Sequence, residues 1–261
     1  MCALYEVKGM DVIMEKIDDL KKLFYEVKRK GWIEGYGCNY GSVGNTFEKM
    51  LGIQPNELEI PDFNNIEIKT KTKYSDSYTA LFNCTPTGPH YHEVERLKNI
   101  YGYPDIKFKE YNVLNVSIYS KCKRKVGIKF YFELKVDKVN KKIFLLIYDK
   151  YKKIIENEVY WDFDILEEKL YRKLKYLAYV KAIKKKINNK EYFKYYKMKI
   201  YRLKNFDTFI NLIDEGIIRI TLKIGIFRDE KKLGKIHDHG TSFCIQEEDL
   251  DKLYDLIDIF I

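Results

Sequence analysis

Long apolar runs are missing from this 261-residue chain, which argues against a helical membrane span. Its first residues, MCALYEVKGMDVIMEK, mix charge among the apolar positions and do not read as a secretory leader. Cysteine is sparse: Cys2, Cys38, Cys84, Cys122 and Cys244 are odd in number and scattered, with no C-x-x-C pair. That argues against a disulfide framework and a zinc–cysteine site, and fits a reducing cytoplasm. No linker rich in Gly, Pro or Ser divides the chain and no internal repeat is visible, so any two lobes are expected to share strands. Arginine is scarce, at 7 against 41 lysines, and Asn, Ile and Tyr are abundant. That pattern suits AT-rich coding, so part of the lysine excess is merely solvated surface.

Aromatic residues make up 15% of the chain, too many for a disordered polypeptide. A length of 261 residues allows a large core, in one sizeable domain or two lobes. The net charge of +9 is unevenly placed. Residues 121–204 hold 26 Lys/Arg and 10 Asp/Glu, a net of +16, while the remainder nets −7. The basic segment interleaves tyrosine with lysine, as in YFKYYKMKIYRLK (Tyr192–Lys204). Basic residues among aromatics suit a nucleic-acid-facing surface.

Periodicity predicts a helix over 11–30, closed by Gly31, and a short helix near 43–52. Strands are expected near 65–72 and 77–83, then a TPTGPH loop and a helix over 92–101. Further strands are expected near 112–120, 127–137 and 142–149, with turns at Lys123-Arg124 and Val139-Asn140. A helix over 164–176, alternating segments at 178–187 and 192–203, a helix over 206–214 and a strand over 217–227 follow. The spacing of Leu250, Leu253, Tyr254, Ile257 and Phe260 predicts a closing amphipathic helix over 247–260.

The chemistry concentrates in GSVGNTFEKMLGIQPNELEIPDFNNIEIKTK (Gly41–Lys71). Asp62, Glu67 and Lys69 form a D-x4-E-x-K pattern. The strand IEIKTKT alternates strictly, so Ile66 and Ile68 point to the core and Glu67, Lys69, Lys71 and Lys73 to the other face. Asn64-Asn65 is turn chemistry that can bring Asp62 back beside Glu67. Two carboxylates and an amine at one point suit metal-assisted phosphodiester hydrolysis: the carboxylates would hold a hard cation such as Mg2+, and the lysine would stabilise developing charge. Each residue also has a plainer reading. Asn45-x-x-Glu48 matches a capping box, Asp62 a turn residue, and the lysines a solvated strand face.

The G-x-x-G-x-x-x-E-x-x-x-G helix (Gly41–Gly52), followed by PDFNNIEIKTK, resembles the MvaI/BcnI group of restriction endonucleases and the related mismatch-repair nuclease MutH. The segment GKIHDHGTSFCIQEEDLDKLY (Gly234–Tyr254) is similar to the end of such proteins. The resemblance implies an α/β fold of the PD-(D/E)xK kind, with a mixed central sheet flanked by helices and two lobes around a DNA cleft. It implies a type II restriction endonuclease hydrolysing duplex DNA at a short specific sequence with Mg2+, for which Mn2+ would substitute. A strand-nicking repair enzyme and a non-catalytic nucleic-acid-binding protein are the alternatives. By the resemblance, Glu48, Asp62, Glu67 and Lys69 are catalytic. Asp62, Glu67 and the Ile68 carbonyl would hold the metal, Lys69 would assist the attacking water, and Glu48 would support the metal or Lys69. A catalytic lobe is expected over 1–120 and a recognition lobe over 121–261. The expected partner is double-stranded DNA, not a membrane. The protein would act as a cytoplasmic monomer, with any companion DNA methyltransferase acting separately.

All four histidines lie in H-x-H pairs, His90-Tyr91-His92 and His237-Asp238-His239. Each pair can be a metal site, a pair of loop histidines, or a DNA contact. The resemblance puts the second pair, with Asp238, close to the target site. Arg219, Lys223, Arg228 and Asp229 are then candidates for reading base edges, since arginine suits guanine and acidic groups suit cytosine. Lys71 and Lys73 are candidate DNA contacts on the catalytic strand.

Overall fold

The computed structural model describes residues 2–37, 41–53 and 60–261. Residues 54–59 of the motif segment, Cys38 and the side chains of residues 2–10, Cys2 among them, lie outside the description. The first elements are α1 (Cys2–Arg29), β1 (Ile33–Glu34), α2 (Ser42–Met50), β2 (Glu67–Thr72), β3 (Thr79–Asn83), α3 (Glu93–Tyr101) and β4 (Tyr103–Pro104). There follow β5 (Asn112–Ile118), β6 (Arg124–Val126), β7 (Phe130–Asp137), β8 (Lys142–Tyr148), β9 (Ile154–Asp162) and α4 (Phe163–Leu174). The chain ends with β10 (Tyr176–Ile187), β11 (Lys190–Leu203), α5 (Phe206–Asp214), β12 (Arg219–Ile226), β13 (Ile236–Ile245), α6 (Leu250–Leu253) and β14 (Tyr254–Phe260). No described helix is long and apolar enough to cross a membrane.

These elements form two compact units. The first gathers Met1–Asp76, Tyr171–Leu203 and Tyr254–Ile261, and the second Ser77–Leu170 and Lys204–Leu253. The division expected at residue 120 does not follow these units. The first unit's sheet closes only by recruiting β10, β11 and β14 from the far half of the chain. The basic excess divides with it: Tyr171–Leu203 alone carries 12 Lys/Arg against one acidic residue, Glu191.

In the first unit, the order is β1-β11-β10-β2, with β14 also on β11. β10 pairs parallel with β2 and antiparallel with β11, so the sheet is mixed. Ile13, Ile17, Leu20, Phe24 and Val27 fall on one face of α1 and are buried against Ile68, Val180, Ala182, Met198 and Ile200. Lys28 and Arg29 in the last turn complement the helix dipole. Gly31, at φ 69°, turns the chain away in a conformation that disfavours side chains.

The closing segment corrects the expected helix. Helical structure stops at Leu253, and Tyr254–Phe260 is a strand paired antiparallel with β11, Met198 opposite Phe260 and Leu203 opposite Tyr254. Helical spacing and strand alternation overlap in so short an apolar segment. The unpaired edge of β11 decides between them, because its backbone groups need partners.

The second unit has two antiparallel sheets, β3-β13-β12-β5-β4 and β6-β7-β8-β9. Phe82 stacks on Phe243 at 5.0 Å, and Trp161 meets Phe243 edge-on. The Trp161 indole donates to the Cys84 carbonyl at 2.9 Å. Asn205 caps α5, accepting from the Thr208 N–H at 2.8 Å. Periodicity does not mark β9 or β13 as strands, and Arg124 lies in β6 rather than a turn. Cys84 and Cys244 are buried and Cys122 is exposed.

Candidate active site

A two-residue turn sets the geometry. Asn64 and Asn65 both take positive φ, 43° and 73°. Phe63 and Ile66 exchange backbone hydrogen bonds of 3.0 and 2.7 Å across them. Asparagine tolerates this left-handed pair better than most residues. The turn folds Asp62 back along β2, where its Oδ2 accepts the Ile68 N–H at 2.8 Å. The motif's aspartate and glutamate thereby become spatial neighbours.

Glu67 and Lys69 share a strand face, and Lys69 Nζ donates to Glu67 Oε1 at 2.5 Å. The Glu67 side chain is only 1% exposed. Its second oxygen, Oε2, has no hydrogen-bond partner among the described residues. A further cation, Lys173 from the last turn of α4, lies 3.5 Å from the same Oε1. Nothing in the motif spacing points to Lys173. It is close because β10 pairs parallel with β2, Leu177 opposite Glu67, and α4 ends just before β10.

Glu48 reaches this group from α2. That helix starts at Ser42 behind Gly41, without a side-chain cap. Asn45 is therefore inside the helix, and the capping-box reading of Glu48 fails. Gly44 explains the close approach: a Cβ there would stand 3.2 Å from Thr70 Oγ1 and 3.7 Å from Glu48 Oε1. Burial first, and then the neighbouring Asp62 charge, raise the Glu48 carboxyl above its ordinary range. Burial also raises Glu67; Lys69 and Lys173 oppose the shift, and Asp62 adds to it. Among the described residues, no three His, Cys, Asp or Glu side chains form a ready-made metal cage. The donor chemistry nonetheless fits a hard divalent cation. The Asp62 charge works against ionisation of both Glu48 and Glu67, Glu67 keeps a buried oxygen without a partner among the described residues, and Mg2+ commonly takes one or two carboxylates with water and phosphate completing its shell.

The candidate DNA contacts divide between the units. Lys71 (buried) and Lys73 (exposed) continue β2 in the first. The others lie in the second. His90 and His92 precede α3: the His90 backbone N–H donates to Glu93 at 3.0 Å, and His92, at φ 58°, is the N-cap residue. Arg219 stacks on Tyr78 and donates to the Tyr119 hydroxyl at 2.8 Å, so its guanidinium is already engaged. Arg228 pairs with the buried Asp105 at 2.7 Å, and Asp229 accepts the Lys232 N–H, which gives both structural duties. Lys223 is exposed on β12.

His237 and His239 sit on β13 with ring centroids 3.9 Å apart, and Phe227 stacks on His237. The β12–β13 register shifts at this point, with Gly240 at φ 93° and the Asp238 carboxylate accepting its N–H at 2.7 Å. Such a bulge re-aims neighbouring side chains. A side chain at Gly240 would collide with Asn83. Burial and the neighbouring His237 lower the basicity of His239.

No curated protein sequence matches the chain. A solved complex of the restriction endonuclease MvaI with its cognate DNA substrate is similar at 32% identity and a TM-score of 0.87, covering 93% of this chain and 98% of that one. MvaI in the absence of DNA is similar at 32% identity and a TM-score of 0.60, covering 95% and 98%. The model of the MvaI/BcnI restriction endonuclease family matches residues 21–254. With that match running from α1 to the first residue of β14, the chain belongs to the MvaI/BcnI restriction endonuclease family and is a type II site-specific deoxyribonuclease.

Proposed function

We propose that the protein hydrolyses phosphodiester bonds in a short duplex sequence with Mg2+, and that the site on β2 does the chemistry. The observation that carries this reading is the buried Glu67, with Lys69 on one oxygen and the other oxygen without a partner among the described residues, beside Asp62. Asp62, Glu67 and the Ile68 carbonyl would hold the cation, with Mn2+ able to replace it. The cation, when bound, supplies Lewis-acid polarisation of the phosphate and acidifies the attacking water. Lys69 orients that water and offsets charge growing on the phosphate. Glu48, its proton affinity raised by burial and by Asp62, balances the Lys69 side of the site.

His237, Asp238 and His239, with Lys223, are the side chains we assign to base edges. They are exposed or half-buried on one hairpin, and a bulge presents them. Lysines of β10 and β11, with Lys71 and Lys73, supply phosphate contacts that position the duplex. Arg219, Arg228 and Asp229 support the recognition surface more than they read bases, since each already has a protein partner. Beside them, His90 and His92 take a minor contact role. The protein would work in the cytoplasm as a monomer, cutting the two strands in succession, with a separate methyltransferase protecting host sites.

The test is digestion of supercoiled plasmid with and without Mg2+, followed by sequencing of the ends. Open-circular DNA preceding linear DNA, with one consensus at the ends, is the expected result. Cutting that persists in chelator, or ends without a consensus, would refute the reading.

A further inference from the structure

Lys173 carries an inference beyond the motif, and it rests on the nuclease reading of the β2 site. Two amines face one buried carboxylate oxygen: Lys69 Nζ at 2.5 Å from Glu67 Oε1 and Lys173 Nζ at 3.5 Å from it. Both lysine side chains are about one-quarter exposed, while Glu67 is 1% exposed. A carboxylate so deeply buried needs a compensating charge at every stage of a reaction cycle. In the resting arrangement Lys69 provides most of it. An ammonium neutralising Glu67 is poorly placed to stabilise charge on a phosphate as well. For Lys69 to turn toward the scissile group, another cation must take its place at Oε1.

We propose that Lys173 is a positioning residue that takes over Glu67 Oε1 and so releases Lys69 to the attacking water and phosphate. Charge balance agrees. Glu48, Asp62 and Glu67 bring three negative charges when ionised, and Lys69 and Lys173 bring two positive. A divalent cation then leaves the site one charge positive, which offsets the charge that builds on the phosphate as water attacks. Without Lys173 the same site is neutral when loaded. The fold builds this device through the parallel β2–β10 pairing, which sets the end of α4 against the start of β2.

Two consequences separate this role from a structural one. Removing a positive charge beside the carboxylates should tighten divalent-cation binding, whereas loosening the fold would weaken it. Removing the alternative partner of Glu67 should slow the chemical step without affecting DNA affinity. The experiment compares the wild-type chain with Lys173→Met, Lys173→Gln and Lys173→Arg. It measures melting temperature, Mn2+ binding to the DNA-free protein by calorimetry, and binding in Ca2+ to a duplex carrying the site mapped from plasmid ends. It also measures single-turnover cleavage of that duplex at saturating Mg2+.

We expect Lys173→Met and Lys173→Gln to lose about 10–100-fold in the single-turnover rate, as removal of an outer-shell partner does at metal sites. Duplex affinity should be unchanged and Mn2+ binding tighter, while Lys173→Arg recovers most of the rate. If Lys173→Met does not fold, Lys173→Gln carries the comparison. Wild-type rates in both neutral variants would overturn the proposal. So would weaker Mn2+ binding in parallel with the lost rate. A wild-type protein that cuts no plasmid in Mg2+ would instead overturn the nuclease reading beneath it.

Discussion

Asp62→Ala removes two things at once, and a second variant separates them. Asp62 Oδ2 accepts the N–H of Ile68, a buried residue at 3% exposure, across 2.8 Å. A hydrogen bond to a charged group contributes about 1.5–3 kcal/mol, and the N–H left behind would be buried without this partner. At about 2–4 °C per kcal/mol for a chain of roughly this size, the melting temperature should fall by about 3–12 °C. Asp62→Asn keeps an oxygen at that place but not the charge. Neutral bonds have roughly half the strength of charge-assisted ones, so about half the stability should return. Cleavage should not return with it, because the amide is a far poorer ligand for a hard cation and the barrier should rise by on the order of 2.7–4 kcal/mol in both variants. Thermal melting and single-turnover cleavage in Mg2+ measure the two effects on the same samples. Near-wild-type cutting by Asp62→Asn would refute the metal-ligand role. Equal melting temperatures for Asp62→Ala and Asp62→Asn would refute the role in tying the turn to β2.

Replacing Lys184, Lys185, Lys194 and Lys197 on the β10–β11 hairpin by Gln should flatten the salt dependence of DNA binding. The slope of log K against log salt should change by about 0.9 for each phosphate that is no longer neutralised. An unchanged slope would mean that these lysines are solvated surface. His237→Ala or His239→Ala should relax discrimination at one base pair by roughly 1–3 kcal/mol with little change in melting temperature; unchanged fidelity across a library of near-cognate sites would remove them from recognition. Arg96 bonds both Glu93 and Glu156, and the Tyr101 hydroxyl donates to Glu156, so Arg96→Met should destabilise the protein by about 3 kcal/mol in urea unfolding. Although burial opposes it, hydrogen bonds from Arg96 and Tyr101 hold the Glu156 carboxyl below its ordinary range. Its stabilisation is present above the unfolded carboxylate pKa and is lost as pH falls through the lower folded value. The stability gap between wild type and Arg96→Met should therefore narrow in acid; a gap that widened there would contradict the ion-pair account.

The sequence by itself determined most of the local structure and the heart of the site. Apolar spacing from Ile13 to Val27 dictates one buried helix face, and Gly31 dictates where the helix stops. The Asn64-Asn65 pair dictates a tight turn, and alternation from Ile66 onward puts Glu67 and Lys69 on one face. These are short-range consequences of backbone sterics and side-chain direction, so they are readable along the chain. Tertiary structure decided what depends on distant partners. The segment Tyr254–Phe260 fits a helix or a strand by pattern, and becomes a strand because β11 has an edge to pair. Glu67 is 1% exposed, with Lys173 from the end of α4 at its carboxylate, and no local pattern marks that burial. Lys173 joins the site only through a parallel pairing between strands far apart in sequence. The two units interleave along the sequence for the same reason: one sheet is completed by three strands from two returns of the chain, Tyr171–Leu203 and Tyr254–Ile261, and no local signal marks where those returns begin.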